Sequence, residues 1–107
     1  MRWLKNATTK HDNPEMLFVY GTLKSLQTYE QVVGHLDKHT TATLNGYRKR
    51  DCGDGYTTID PNPNSSVQGT IYLLSKNDLH KLDEWEEDYE RITVQTDKGQ
   101  AHAYRMN

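Results

Sequence analysis

The first third of the chain shows a short apolar run followed by a helical repeat. "MLFVY", residues 16–20, predicts a buried strand, and the glycine turn "GT" follows it directly. Four apolar residues then recur at helical spacing: Leu26, Tyr29, Val32 and Val33. Gly34 is the expected end of this helix. The predicted order is therefore strand, tight turn and helix.

The middle of the chain predicts two strands separated by a long loop. "TTATLNGYRKR", residues 40–50, has strand-favouring composition. "DCGDGYTTIDPNPNSS", from Asp51 to Ser66, is crowded with Gly, Pro, Asn and Asp, which predicts a long loop with a short strand at "YTTI". "VQGTIYLL", residues 67–74, carries large residues on both faces and is therefore predicted to be a central strand.

The last third predicts a helix followed by a hairpin. Ser75 and Asp78 form a capping-box pattern that opens a helix over residues 75–87. "YERITVQT", "DKG" and "QAHAYRM" then predict a strand, a glycine turn and a strand. Residues 1–15 are polar and aperiodic, so we expect a flexible N-terminal arm before a single domain over residues 16–107.

Composition narrows the class of protein. A chain of 107 residues can bury about 65 % of its unfolded surface. The net charge of −2 disfavours a nucleic-acid partner, because that binding depends on neutralised phosphates. No apolar run reaches the roughly 18 residues of a membrane helix, and the single cysteine, Cys52, fits a reducing compartment. We therefore expect a soluble cytoplasmic protein without a membrane partner, and make no prediction of its oligomeric state.

Signatures of bound metals and cofactors are weak. The chain has neither a Gly-x-Gly-x-x-Gly fingerprint nor a P-loop. His35 and His39 have the spacing of a helical metal pair, but Gly34 is expected to end the helix before them. The prediction is no metal site and no cofactor.

Glu86 is the carboxylate that the predicted helix turns inward. Leu79, Leu82 and Trp85 cover one arc of the helix, Glu86 falls inside that arc, and Glu84 lies opposite. An ionised Glu is rarely buried without a partner, so this position requires a reason.

Three effects are expected to raise the pKa of Glu86 toward neutrality. They are partial desolvation, the negative end of the helix, and the nearby carboxylates of Asp83, Glu87 and Asp88. A raised pKa suits a general base that works near pH 7. The alternative is a partly buried Glu that is paired with a cation such as Arg91.

The turn after the first strand has its own chemistry. Gly21 gives the chain freedom to turn, and the amides of Thr22 and Leu23 would then face outward at the start of a helix. Such amides can bind a carboxylate or a developing oxyanion. The alternative is a plain corner between strand and helix.

Four motifs together resemble a known family. "FVYGTLK", "LNGYRK", "VQGTIYLL" and "LDEWEEDYERITV" are similar in order and spacing to the γ-glutamylcyclotransferase-like family, and closest to its γ-glutamylamine cyclotransferase branch. The resemblance runs from Leu17 to Tyr104. It implies an α+β fold, in which a small mixed-strand β-barrel with packed helices has a pocket at one mouth.

The resemblance also implies a site and a reaction. Glu86 matches the catalytic glutamate, and the residues implied to bind substrate are Tyr20, Gly21, Thr22, Leu23 and Tyr89. The implied reaction is intramolecular aminolysis of a γ-glutamyl amine or amino compound, which yields 5-oxoproline and a free amine without a cofactor. Glu87 stands where the family usually has Gly, which leaves the choice of substrate open.

Two functions remain from the sequence. The first is this cyclotransferase, and the second is a non-catalytic module that binds a small metabolite in the same pocket. A small barrel that binds single-stranded nucleic acid is disfavoured by the charge balance.

Overall fold

The computed structural model describes residues 14–21 and 25–106, and this part of the chain forms five strands and two helices. In chain order they are β1 (Glu15–Val19), α1 (Leu26–Val33), β2 (Lys38–Gly53), β3 (Tyr56–Leu74), α2 (Lys76–Trp85), β4 (Tyr89–Thr96) and β5 (Gly99–Met106). The strands form one sheet in the order β2-β3-β1-β5-β4. β1 and β5 are parallel and the other neighbours are antiparallel, so the sheet is mixed.

Both helices begin and end at residues with clear capping chemistry. The Ser25 side chain accepts a hydrogen bond from the Thr28 N–H at the start of α1, and Gly34 ends that helix with a φ of 100°. The Ser75 side chain accepts from the Asp78 N–H, at 3.1 Å, at the start of α2. The predicted N-cap of α2 at Ser75 and the predicted end of α1 at Gly34 are confirmed. However, α2 ends at Trp85, two residues before its predicted end.

Strand β1 separates two apolar cores, because its side chains alternate between the faces of the sheet. One face packs against the helices, in a cluster of Leu17, Val19, Tyr29, Val33, Tyr72, Leu74, Leu79, Leu82 and Tyr104. The other face forms a second cluster from strands and their ends: Phe18, Tyr20, Ala42, Leu44, Ile59, Val67, Ile71, Val94, Ala101 and Ala103. The sheet is therefore buried on both faces, although helices contribute to only one of the two clusters.

The sheet curls around the second cluster until its two edges meet. β2 and β4 lie at opposite ends of the strand order, yet the Asp97 N–H after β4 donates to the Thr43 carbonyl in β2, at 3.1 Å. The Thr43 N–H donates in turn to the Asp97 carboxylate, at 2.8 Å. Strand pairing does not continue from this point in the described part of the chain. The predicted α+β class with a mixed sheet and packed helices is confirmed, but the sheet is curled rather than closed into a barrel.

The long loop predicted from Asp51 to Ser66 is wrong, because this segment belongs to a β-hairpin. β2 and β3 pair from Lys38–Leu73 to Gly53–Tyr56, and the tight turn between them is Asp54–Gly55. Both turn residues have positive φ, 53° and 81°, as a type I′ turn requires. The proline-containing segment, residues 61–66, is accommodated in β3 by a register shift. Asn45 pairs with Ser66, and the next pair along the hairpin is Tyr47 with Pro61, so the residues between Pro61 and Ser66 have no partner in the ladder.

The N-terminal boundary is only partly visible. Residues 1–13 of the predicted arm lie outside the described residues, and Glu15 already belongs to β1. The division into an arm and a domain therefore stays a prediction. Neither described helix is long and apolar enough to cross a membrane.

Replacing Gly69 by Ala is expected to destabilise the fold strongly. A Cβ atom there would lie 2.3 Å from the Val19 carbonyl oxygen and 2.7 Å from the Phe18 ring, so β1 and β3 would have to move. We expect Gly69→Ala to lower the free energy of unfolding by about 3 kcal/mol in urea titrations. Ser66→Ala, an exposed change on the same strand, is the control and should cost less than about 0.5 kcal/mol. Equal stability of the two variants would contradict the packing described here.

Candidate functional site

A cavity of about 270 Å³ opens beside the C-terminal end of β1. Its wall combines segments that are distant in sequence: residues 18–21, residues 54–57 at the tip of the β2–β3 hairpin, Trp85, Glu86, Tyr89 and Tyr104. Of the six residues expected to form the site, the fold brings Tyr20, Gly21, Glu86 and Tyr89 together here. Thr22 and Leu23 lie outside the described residues.

Glu86 occupies the position just after α2 and is fixed by its backbone. Its N–H donates to the Leu82 carbonyl at 2.8 Å, and its carbonyl accepts from the Tyr89 N–H at 2.9 Å. The side chain is half-buried in the cavity wall. Among the described residues, no side chain pairs with this carboxyl group or donates a hydrogen bond to it. Arg91, the alternative partner, instead contacts Asp83 with 3.3 Å between Nε and Oδ1.

Burial raises the pKa of Glu86 to about 7. The expected direction is therefore found, but the carboxylates of Asp83, Glu87 and Asp88 are not its cause. Asp83 is engaged by Arg91 and Tyr104, while Glu87 and Asp88 are exposed to solvent, which screens their charge. At neutral pH this carboxyl group exists in both protonation states, as an acid–base group requires.

Three tyrosine hydroxyls donate hydrogen bonds that connect the walls of the cavity. Tyr89 donates to the Thr57 carbonyl at 2.7 Å, and Tyr104 donates to the Asp83 carboxylate at 2.6 Å. Tyr20 donates to the Tyr104 carbonyl. Burial raises the pKa of Tyr20 and that of Tyr104, so both hydroxyls stay protonated and remain donors at neutral pH.

Gly21 allows a close approach of the chain and does not adopt an unusual backbone angle. Its φ is not among the positive values found in the described residues, so the turn does not use the conformational freedom expected from the sequence. A Cβ atom on Gly21 would instead lie 3.0 Å from Oγ1 of Thr57. The glycine therefore lets the end of β1 meet the tip of the hairpin.

Sequence reasoning missed several residues of the cavity wall: Asp54, Tyr56, Thr57, Trp85 and Tyr104. Trp85 was expected on the buried arc of the helix, but it is 45 % exposed because α2 ends there. The Asp54–Gly55 pair was the available signal, since Asp-Gly is typical of a two-residue hairpin turn. That turn brings the residues at the start of β3 to the cavity.

A separate cluster of possible metal ligands lies between α2 and the segment that follows α1. His35, Asp37 and Asp78 place one ligand atom each within 4.8 Å of one another, although none of the three lines the cavity. Nε2 of His35 lies 2.7 Å from the Asp78 carboxylate, whose other oxygen is 3.5 Å from the Lys81 ammonium. His39, which has the spacing of a helical metal pair with His35 in the sequence, instead contacts the Asp37 carbonyl. Hydrogen bonds and a neighbouring cation thus satisfy the cluster as it stands.

Comparison with known proteins identifies the family. The family model described as gamma-glutamyl cyclotransferase, AIG2-like, matches residues 17–107. The chain belongs to this family. A curated member, AIG2-like protein C of Arabidopsis thaliana, is 33 % identical over 82 residues, which cover 74 % of this chain and 48 % of the relative. The chain thus spans about half the length of that AIG2-like protein.

Solved structures share the fold of this family member. A solution structure from Arabidopsis thaliana superposes with a TM-score of 0.79 at 24 % identity, covering 92 % of this chain and 72 % of the other. A structure described as a gamma-glutamyl cyclotransferase gives a TM-score of 0.70 at 20 % identity, covering 89 % and 68 %. At these identities the likeness concerns the fold alone.

The raised pKa of Glu86 predicts a pH-dependent cost to stability. Between about pH 4.5, the ordinary value, and pH 7, the folded chain holds a proton that the unfolded chain has released. Stability is therefore lost as the pH rises through this window. Relative to Glu86→Gln, the wild type should lose at most about 2 kcal/mol between pH 4 and pH 8, after allowance for solvent screening.

Urea titrations of both proteins across this pH range measure the effect. Glu87→Gln removes an exposed carboxylate one residue away and is the control, expected to follow the wild type. Parallel stability curves for the wild type and Glu86→Gln would show that burial does not perturb Glu86.

Proposed function

We propose that this protein is a cyclotransferase that converts a γ-glutamyl amine or γ-glutamyl amino compound into 5-oxoproline and a free amine. One observation carries the proposal: a cavity in a chain of this family holds a half-buried carboxyl group, Glu86, with a pKa of about 7. No described cation neutralises it, so its proton is available for chemistry.

The proposed reaction needs one group that takes a proton and later returns it. Ionised Glu86 removes a proton from the substrate's α-ammonium, and the freed amine attacks the γ-carbonyl carbon. A carbon–nitrogen bond forms and closes a five-membered ring. The bond to the leaving nitrogen then breaks as Glu86 gives its proton to that nitrogen. The ring nitrogen, which gained a positive charge in the attack, releases its second proton to the departing amine, so the products are 5-oxoproline, an ammonium and ionised Glu86. Nucleophile and electrophile belong to one molecule, so the protein supplies mainly orientation and proton transfer.

The other site residues are proposed to hold the substrate. Tyr20 and Tyr89 have hydroxyls that are already committed to backbone carbonyls, so their rings serve as walls of the cavity beside Glu86. Gly21 brings the chain to the cavity, and the amides of Thr22 and Leu23 are proposed to bind the glutamyl part. Supporting this assignment, Gly21 itself lines the cavity.

Release of 5-oxoproline from a panel of γ-glutamyl amines and γ-glutamyl amino acids tests the proposal. Glu86→Gln should lower kcat by about 100-fold or more, because Gln cannot accept a proton. Glu87→Gln is the matched control and should retain activity. The wild-type rate should rise with pH and level off above pH 7, where Glu86 is ionised.

The non-catalytic alternative gives a different result in the same experiment. A metabolite-binding module would bind panel compounds in calorimetry without releasing 5-oxoproline. Full activity of Glu86→Gln would also overturn the proposal, because the reaction would then proceed without its acid–base group.

A further inference from the structure

We propose that the mouth of this cavity binds a positive charge on the leaving amine, through the Asp54 carboxylate and the exposed rings of Tyr56 and Trp85. The inference rests on the proposed function for the reaction, and it narrows the substrate to γ-glutamyl derivatives of diamines or similar cationic amines. Three features of the described cavity wall lead to it.

The first feature is the sign of the charge in the cavity. Of the described residues that line it, Asp54 and Glu86 carry a carboxyl group, and none is a Lys, Arg or His. The field inside a cleft lined by one sign of charge favours a ligand of the opposite sign. A leaving group with a carboxylate of its own meets repulsion here, whereas one with an ammonium is attracted.

The second feature is that Asp54 lacks the partners that its neighbours have. Asp60, farther along the hairpin, pairs with Arg50 at 2.6 Å, and Asp51 accepts from the Gly53 N–H at 2.9 Å. In residues 14–21 and 25–106, the structure gives the Asp54 carboxylate no hydrogen bond and no ion pair. Its charge at the cavity is therefore available to a ligand.

The third feature is a pair of aromatic rings exposed at the same opening. Tyr56 is 46 % exposed and Trp85 is 45 % exposed, although both line the cavity. The Tyr56 ring packs against the Tyr89 ring, with 6.4 Å between the ring centroids and 41° between the ring planes. The faces of such rings attract ammonium groups and also cover the methylene chain of an aliphatic amine.

A purely structural role for Asp54 in the hairpin turn can be separated from its proposed role in binding a cationic amine. Asp54 has a φ of 53° in the type I′ turn, and Asn is favoured at this position at least as much as Asp. Asp54→Asn therefore keeps the turn and removes the charge. Glu87→Gln removes one exposed charge near Glu86 that does not line the cavity, so it controls for general electrostatic effects.

The experiment compares two substrates of nearly equal shape. One is the mono-γ-glutamyl derivative of 1,5-diaminopentane, and the other is the γ-glutamyl derivative of 1-aminopentane, which lacks the terminal ammonium. We expect wild-type kcat/KM to favour the cationic compound by about tenfold or more, and the preference to fall as salt is added. Asp54→Asn should reduce the ratio to within about threefold, Trp85→Leu should reduce it in part, and Glu87→Gln should leave it unchanged.

Failure of this inference differs from failure of the proposed function. If the wild type releases 5-oxoproline equally from both compounds, or if Asp54→Asn keeps the full preference, the subsite is wrong while the reaction stands. If neither compound is turned over, calorimetry with the same two compounds decides the subsite alone. Tighter binding of the cationic compound that is lost in Asp54→Asn supports it, and equal binding overturns it.

Discussion

Burial of β1 on both faces is the constraint on which the rest of the structure depends. A strand that is hydrogen-bonded on both sides must be apolar where both of its faces are covered, and Leu17 and Phe18 have no exposed surface. One face is covered by the helices. The other has to be covered by the sheet itself, which curls until Thr43 meets Asp97. The same curl brings the hairpin tip to the end of β1 and so creates the cavity there.

The site depends on a carboxyl group that is desolvated but not paired. Most buried carboxylates gain a cation or several hydrogen-bond donors, which lower their pKa. The cation that the sequence offered as a partner for Glu86, Arg91, is held by Asp83 one turn earlier in α2. Asp83 thus keeps Arg91 away from Glu86 and also fixes Tyr104 in the cavity wall. The proton affinity of Glu86 follows from this division of partners rather than from the number of acidic residues around it.

Segments far apart in sequence hold the cavity together through tyrosine hydroxyls. Tyr89 joins the start of β4 to the hairpin, and Tyr20 joins the end of β1 to β5. These bonds fix the tyrosine side chains that line the cavity together with Glu86. A cavity with walls fixed in this way suits the proposed reaction, in which the two reacting groups belong to one molecule.

The sequence by itself determined both helices, the central strand and the inward-facing carboxylate that lines the cavity. Helical periodicity and capping placed both helices, apolar composition on both faces identified the central strand, and the helix wheel selected Glu86. Only the tertiary structure decided what surrounds Glu86. The hairpin tip reaches the cavity because β2 and β3 pair along most of their length and resume pairing after each of two register shifts. Local Gly, Pro and Asn content had hidden that pairing. Which cation pairs with which carboxylate was likewise decided by contacts between α2, β4 and β5, because such contacts depend on distances in space that sequence spacing does not contain.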